Sequence, residues 1–308
     1  MAYDLVIRNG TIIDGSGGAR YRADIGVNDG KIKNIGRITE SGRQDMDAEG
    51  HVVSPGFVDG HTHMDAQVFW DPLGSCSCYH GVTSVVMGNC GFTLAPCKQE
   101  DADLVFRNLE RAEDLSRDAM LEGIDWTWET FPQFLDAVDA LPKGINYAGY
   151  IGHSALRTYV MGERAFSDEA SPDEILRMQN TVKEAMDAGA VGFSTSRTFN
   201  HQTADDRPVA SRLASWNEVR SIVNAVGETG KGVFEIAGEA PGRDPDRLRE
   251  YHDRLRDLAV ESGVTQTWGM FCSRHAPDYW RPYFDLLDET AAAGGRMFAQ
   301  VHSRGLNT

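Results

Sequence analysis

The sequence predicts an α/β fold: a parallel (β/α) barrel of the eight-stranded type, incomplete at about seven strands, behind a small β-sandwich module. Three observations predict it. Residues 1 to about 55 hold short apolar runs punctuated by Asn-Gly and Asp-Gly. From Val52 onward short apolar runs alternate with longer helical patterns, the rhythm of βα units around a parallel sheet. Polar residues of ligand type recur where those apolar runs end.

In the N-terminal module, "YDLVIRNGTIID" contains Asn9-Gly10 and "ADIGVNDGKIKNIG" contains Asp29-Gly30. Such pairs between apolar residues signal two-residue hairpin turns. About 55 residues of short strands bury too little to stand alone. The expected division is a β-sandwich portion over 1–55 and a barrel over 56–308.

Barrel strands are expected at "GFVDGH", "VTSVVMGNC", "NYAGYIGH", "AVGFSTS", "KGVFEIAG", "TQTWGMF" and "RMFAQVH". Helices lie between them. "SPDEILRMQNTVKEAMDAG" opens with Ser171 as N-cap, Pro172 at the first helical position and Glu174 completing a capping box, and Gly189 closes it. "SWNEVRSIVNAVGETG" and "DPDRLREYHDRLRDLAVESG" are two more helices. An eighth strand has no candidate before Thr308, so the expected barrel is truncated before its last strand. Two open sheet edges and an exposed apolar interior are association liabilities, and self-association is the expected result.

Composition narrows the partners. The 308 residues carry a net charge of -16, which argues against binding nucleic acid or an anionic membrane through a basic surface. No stretch approaches the ~20 apolar residues of a membrane helix. The N-terminus shows no basic segment followed by an apolar one, and the five cysteines are an odd number. Together these imply reduced thiols in a cytoplasmic protein. The expected partner is a small-molecule substrate.

In a barrel the chemistry lies at the carboxyl ends of the strands. The first candidate strand ends "DGHTH", where His61 and His63 share one face because alternate strand residues point the same way. Imidazole nitrogen suits zinc and similar divalent ions, and the position at a strand end favours ligands over two solvated turn residues. Cys90 ends the second strand; a thiolate there serves as a ligand, whereas a lone buried cysteine is more often filler, and its place beside the His pair favours the ligand. Cys76 and Cys78 match no common zinc spacing and read as structural.

"YDLVIRNGTIIDGSGG", "VVSPGFVDGHTHMD", "GVTSVVMGNCGFTLAP", "GHSALRTYVMG" and "GAVGFSTSRT" together resemble the amidohydrolase superfamily, in its D-aminoacylase (N-acyl-D-amino-acid deacylase) branch. The resemblance implies a metal-dependent-hydrolase barrel that cleaves an amide bond with metal-activated water, the metal being zinc or a similar divalent ion. It implies His61, His63 and Cys90 as ligands. It assigns His153 and Arg157 to a pocket-shaping motif, although a hydrogen-bonded structural histidine is an equal reading of His153. Ser194, Ser196, Arg197 and His201 fall at the next strand end, where Arg197 holds a substrate carboxylate or pairs with a neighbouring acid.

Two ligands that the branch expects are missing. Ala237 and Gly238 stand where strand five should supply a histidine, and Gly269 and Met270 occupy strand six. Glu235, Glu239, His275 and His302 are the candidate replacements. No catalytic base is assigned, because the branch's strand-eight aspartate has no counterpart before residue 308. Three readings follow: an N-acyl-amino-acid amide hydrolase with an altered site, an inactive or truncated member of the fold, and a hydrolase of cyclic amides or lactones.

Overall fold

A computed structural model describes residues 3–242, 244–270 and 277–301. Cys272, His275 and His302 lie outside the described residues. The chain divides into two compact units, residues 1–57 and 58–308.

The first unit is a five-stranded sheet of β1 (Tyr3–Ile12), β2 (Tyr21–Asn28), β3 (Lys31–Gly36), β4 (Gly42–Asp47) and β5 (Val52–Val53). Its order is β3-β2-β1-β4, with β5 also on β1. Asp29 and Gly30, both at positive φ (53° and 67°), join β2 to β3, which is the hairpin that the sequence predicts. The Asn9-Gly10 pair does something else. Asn9 has φ 59° and the register shifts between Ile7 and Gly10, so the pair forms a bulge within a continuous β1. Flanking carboxylates decide the outcome: Asn9 N donates to Asp24 Oδ1 (2.9 Å) and Asn9 Nδ2 donates to Asp47 Oδ1 (3.0 Å). With those groups satisfied from β2 and β4, the strand need not turn.

The second unit holds β6 (Phe57–Asp59), β7 (Val82–Met87), β8 (Asn146–Gly152), β9 (Gly192–Ser196), β10 (Val233–Ala237), β11 (Thr265–Gly269) and β12 (Met297–Gln300). They line up in sequence order in one sheet, and the ladders from β7 to β12 are parallel. Each of the seven expected runs is a strand. Helices separate them: α1 (Ser75–Cys78) between β6 and β7, α2 (Ala102–Leu109), α3 (Arg117–Gly123) and α4 (Phe131–Asp139) between β7 and β8, then α5 (His153–Met161), α6 (Pro172–Ala188), α7 (Trp216–Glu228), α8 (Pro245–Ser262) and α9 (Arg281–Ala292). This is an incomplete (β/α) barrel. Among the described residues β6 and β12 each pair on one flank only, and Val58 and Phe298 on them are 69% and 60% exposed. None of the described helices is long and apolar enough to cross a membrane.

Alternation along the strands sorts the two faces. Phe193, Phe234 and Ile236 join Met178, Val182, Met186, Ile222 and Val226 of α6 and α7 in the core, each contributing about 1.5–3 kcal/mol of apolar burial. Glu235 and Ala237, out of phase with them, face the interior of the sheet.

α6 forms as its capping sequence requires: Ser171 N donates to Glu174 Oε2 (2.8 Å), Glu174 N donates to Ser171 Oγ (3.4 Å), and Gly189 ends the helix at φ 118°. Ser171→Ala should therefore cost about 1 kcal/mol. Urea unfolding should show a lower midpoint with an unchanged slope; an unchanged midpoint would contradict the role given to this cap.

Candidate metal centre

The residues after β7 form a tight turn, Gly88–Gly91, that folds over the carboxyl ends of the neighbouring strands. Gly88, Cys90 and Gly91 all have positive φ (78°, 57° and 79°). Gly88 is obligatory for a second reason: a Cβ there would lie 2.5 Å from the Tyr150 carbonyl oxygen. The turn's polar groups are met from four directions. Gly88 N donates to Asp65 Oδ2 (2.9 Å), Gly91 N to Ser194 Oγ (3.0 Å), Cys90 N to Glu235 Oε2 (2.6 Å), and Asn89 Nδ2 to the Thr62 and Val86 carbonyls (3.1 and 2.9 Å). The hydroxyl of Ser194 in turn donates to the Gly88 carbonyl.

This turn sets Cys90 against the β6 end. His61 Nε2 lies 3.4 Å from Cys90 Sγ, and the ligand atoms of His61, His63 and Cys90 all fall within 4.8 Å of one another. Each imidazole has one nitrogen held by an oxygen. Gln300 Oε1 sits 2.7 Å from His61 Nδ1, and Glu113 Oε2 sits 3.3 Å from His63 Nε2. Metal-binding histidines are oriented in this way, with the ring nitrogen away from the ion bonded to an oxygen.

Electrostatics follow from burial. His63 is pushed down to about 3, first by burial and then by His61 and His201, so its ring is neutral with a lone pair available. Burial pushes Glu235 and Glu113 up to about 8, and Asp65 up to about 7. Burial, then Glu235 and Glu113, raise the Cys90 thiol.

The set fits a divalent ion. Two nitrogens and a sulfur are donors of the zinc type. Donors bound at about 2.0 and 2.3 Å on a tetrahedral ion sit about 3.5 Å apart, close to the His61–Cys90 spacing. Two buried atoms of the site, His63 Nδ1 and Glu235 Oε1, have no hydrogen-bond partner, and buried polar groups are rarely left so.

A cavity of about 440 Å³ opens on this cluster. One wall is polar, with His61, His63, Cys90, Glu113, His201 and Glu235; the other, among the described residues, includes Tyr251, Leu255, Trp268, Met270 and Tyr283. The size suits a small molecule.

The remaining sequence candidates separate. His201 lines the cavity and is pushed down to about 4 by burial, Arg212 and His61. Ser196 reaches it only through His201, with Oγ 2.8 Å from Nδ1. Arg197 pairs with an acid rather than standing open: it contacts Glu239 Oε1 (3.2 Å), and Glu239 is also held by Arg254 (3.0 Å).

His153 and Arg157 are not in the cavity at all. Both are fully buried on the helix side of the sheet, with Glu218 of α7. His153 Nε2 lies 2.9 Å from Glu218 Oε1, and its Nδ1 2.8 Å from Thr195 Oγ1. Arg157 Nη1 donates to both Glu218 oxygens (2.6 and 2.5 Å). The pocket-shaping expectation gives way to the structural one, because His153 is the first residue of α5 and the helix carries it outward. Burial pushes Glu218 up, but the His153 hydrogen bond and the charge of Arg157 outweigh it and hold the carboxyl at about 2. Burial lowers His153, so the permanent cation opposite Glu218 is Arg157.

Glu113 and Gln300 escaped the sequence reading. Glu113 lies in a run of charges, "ERAEDLSRD", that looks like any solvated surface. Gln300 had a usable signal, a polar residue at the end of an apolar strand.

The "Amidohydrolase family" profile matches residues 44–283. The chain belongs to the amidohydrolase family. An uncharacterized protein of Mycobacterium tuberculosis is 35% identical over 243 residues, covering 75% of this chain and 39% of its own length. D-aminoacylase of Alcaligenes xylosoxydans xylosoxydans is 39% identical over 200 residues, covering 64% and 38%. The crystal structure of N-acyl-D-glutamate deacylase from Bordetella bronchiseptica, complexed with zinc and a phosphonate mimic of the tetrahedral intermediate, superposes with TM-score 0.78 at 25% identity, over 99% of this chain and 59% of that one. These place the chain in the D-aminoacylase branch of the family. The chain spans about two fifths of the length of the curated relatives it matches.

Glu218 titrates near 4.5 in an unfolded chain and at about 2 in the fold. Its stabilisation is therefore complete above pH 4.5 and is lost as the pH falls toward 2. Glu218→Gln, which leaves Arg157 buried and unpaired, should cost about 3–5 kcal/mol at neutral pH, and the gap from the native sequence should close on acidification. A gap that stays constant from pH 6 to 3 would contradict an ionised Glu218.

Proposed function

We propose that the protein is a metal-dependent amide hydrolase that acts on N-acyl-amino-acid-like substrates. The observation that carries the reading is the cluster of His61, His63 and Cys90 at the carboxyl ends of β6 and β7, facing the cavity. The names of the relatives, D-aminoacylase and N-acyl-D-glutamate deacylase, support the substrate class. These three side chains would hold a divalent ion, with zinc favoured by the donor set. Such an ion polarises a scissile carbonyl and lowers the pKa of water toward neutrality.

The chain's own groups do the rest. Gln300 and Glu113 hold the two imidazoles in fixed orientation. His201, neutral and anchored by Ser196, offers a hydrogen bond at the cavity wall. The apolar wall of Tyr251, Leu255 and Trp268 takes an acyl chain or an apolar side chain and excludes water from it.

A second reading, a fold without hydrolysis, is favoured by one observation: Ala237 and Gly269 end β10 and β11, where the branch's motif expects histidines.

Elemental analysis of the purified chain should find at least one equivalent of a divalent metal, retained through dialysis, and none in His61→Ala/His63→Ala. Incubation with a panel of N-acyl-D-amino acids should release free amine only from the metal-bearing protein. Absence of metal from the native chain would sink the proposal. Bound metal without amine release would select the second reading.

A further inference from the structure

The wall of the cavity that carries no metal donor is aromatic rather than merely apolar. Among the described residues it is built from Tyr251 on α8, Trp268 on β11, Tyr279 in the turn before α9 and Tyr283 on α9. Ala237 ends β10, Gly238 follows it and Gly269 ends β11, and all three line the same cavity. Where the branch's motif expects histidines, nothing larger than a methyl group stands, so these positions take no room from a ligand. Gly238 has a second effect. A Cβ there would lie 2.6 Å from the Tyr251 hydroxyl, so only glycine lets the Tyr251 ring approach the strand end, where its hydroxyl accepts from Glu239 N at 3.2 Å.

The rings brace one another in tilted pairs. The Trp268 and Tyr283 centroids are 5.3 Å apart at 53°, and those of Tyr279 and Tyr283 are 5.4 Å apart at 54°. The Tyr279 and Tyr283 hydroxyls lie 3.0 Å from each other, which satisfies both phenols against one another and leaves their ring carbons to the cavity. Tilted and offset contacts are the ones aromatic rings prefer, so a further ring added to this set meets partners already held in place. The charge nearby selects against a cation. The Arg254 guanidinium lies 5.8 Å from the Tyr251 ring centroid, and Glu239, the acid on this part of the cavity, is held by Arg197 and Arg254. At the opposite rim, Phe199 lines the cavity with its side chain 61% exposed.

We propose that the wall of Tyr251, Trp268, Tyr279 and Tyr283 binds an uncharged aryl group of the substrate, so that the protein selects N-acyl-amino acids carrying an aromatic ring over aliphatic and acidic ones. This deepens the hydrolase reading above and rests on it for the scissile amide. The recognition itself needs no metal, because none of these side chains belongs to the His61–His63–Cys90 cluster. An aliphatic chain would fill the same space, but it has no ring edge or face to set against the tyrosines and the tryptophan.

Calorimetric titration of the full chain with N-acetyl-D-phenylalanine, N-benzoyl-D-alanine, N-acetyl-D-leucine and N-acetyl-D-glutamate tests this by binding alone. At least one aryl compound should bind on the order of 10-fold tighter than N-acetyl-D-leucine, the gain expected of two or three ring contacts. Which of the two binds tighter tells whether the ring belongs to the amino-acid side chain or to the acyl group. Tyr283→Leu keeps the wall apolar and removes its central ring, and should bring the ratio of aryl to leucine affinity close to one. If that variant does not fold, Tyr279→Leu, at a partly exposed position, is read by the same titration and should lower the ratio. Equal affinities in the native chain, no binding of either aryl compound, or a ratio that survives in the folded variant would each overturn the aryl assignment. A native chain that holds no metal yet keeps the aryl preference supports the assignment and overturns the hydrolase reading alone.

Discussion

Three of the four residues in the turn Gly88–Gly91 adopt positive φ, and one of them, Cys90, is not glycine. A left-handed residue with a side chain costs roughly 1–2 kcal/mol. The turn persists because the chain after β6 and the strands β9 and β10 contribute hydrogen bonds to it: Asp65 and the Thr62 carbonyl from the β6 side, Ser194 from β9 and Glu235 from β10. At about 1 kcal/mol each, these bonds outweigh the backbone cost. The strain also has a use. A relaxed extended chain would carry Cys90 on past the sheet, whereas this turn folds the thiol back to 3.4 Å from His61.

The sheet separates two kinds of buried polar chemistry. On the helix side, Arg157, Glu218 and His153 form a network in which a permanent cation meets an anion held at about 2. Such a network fixes α5 against α7 and has no room for a ligand. On the interior side, Glu113, Glu235, His63 and Cys90 are all pushed toward their neutral forms, and no permanent cation is paired with them in the described residues. The two sites have similar ingredients. What distinguishes them is whether the charges are already matched within the chain.

Much of this was legible in the sequence. All seven barrel strands show as apolar runs, and the capping chemistry of α6 places that helix to the residue. His61, His63 and Cys90 stand out because a strand end and a ligand-type side chain coincide. Legibility fails where an outcome depends on contacts distant in sequence. Asn9-Gly10 reads as a hairpin, but Asp24 and Asp47 make it a bulge. "GHSALR" follows a strand end as His63 and Cys90 do, yet the chain enters α5 at once and carries His153 to the opposite face. Glu113 meets His63 only through tertiary folding, and no local pattern marks it.

The claim that the rest depends on is that the Gly88–Gly91 turn delivers a thiolate to a metal shared with two imidazoles. X-ray absorption at the zinc edge of the zinc-loaded protein tests it most directly. The account predicts a single sulfur at about 2.3 Å with nitrogen or oxygen donors at about 2.0 Å and the outer-shell scattering of imidazole, and it predicts that Cys90→Ser removes the sulfur contribution. A zinc ion surrounded by nitrogen and oxygen alone in the native protein would contradict it.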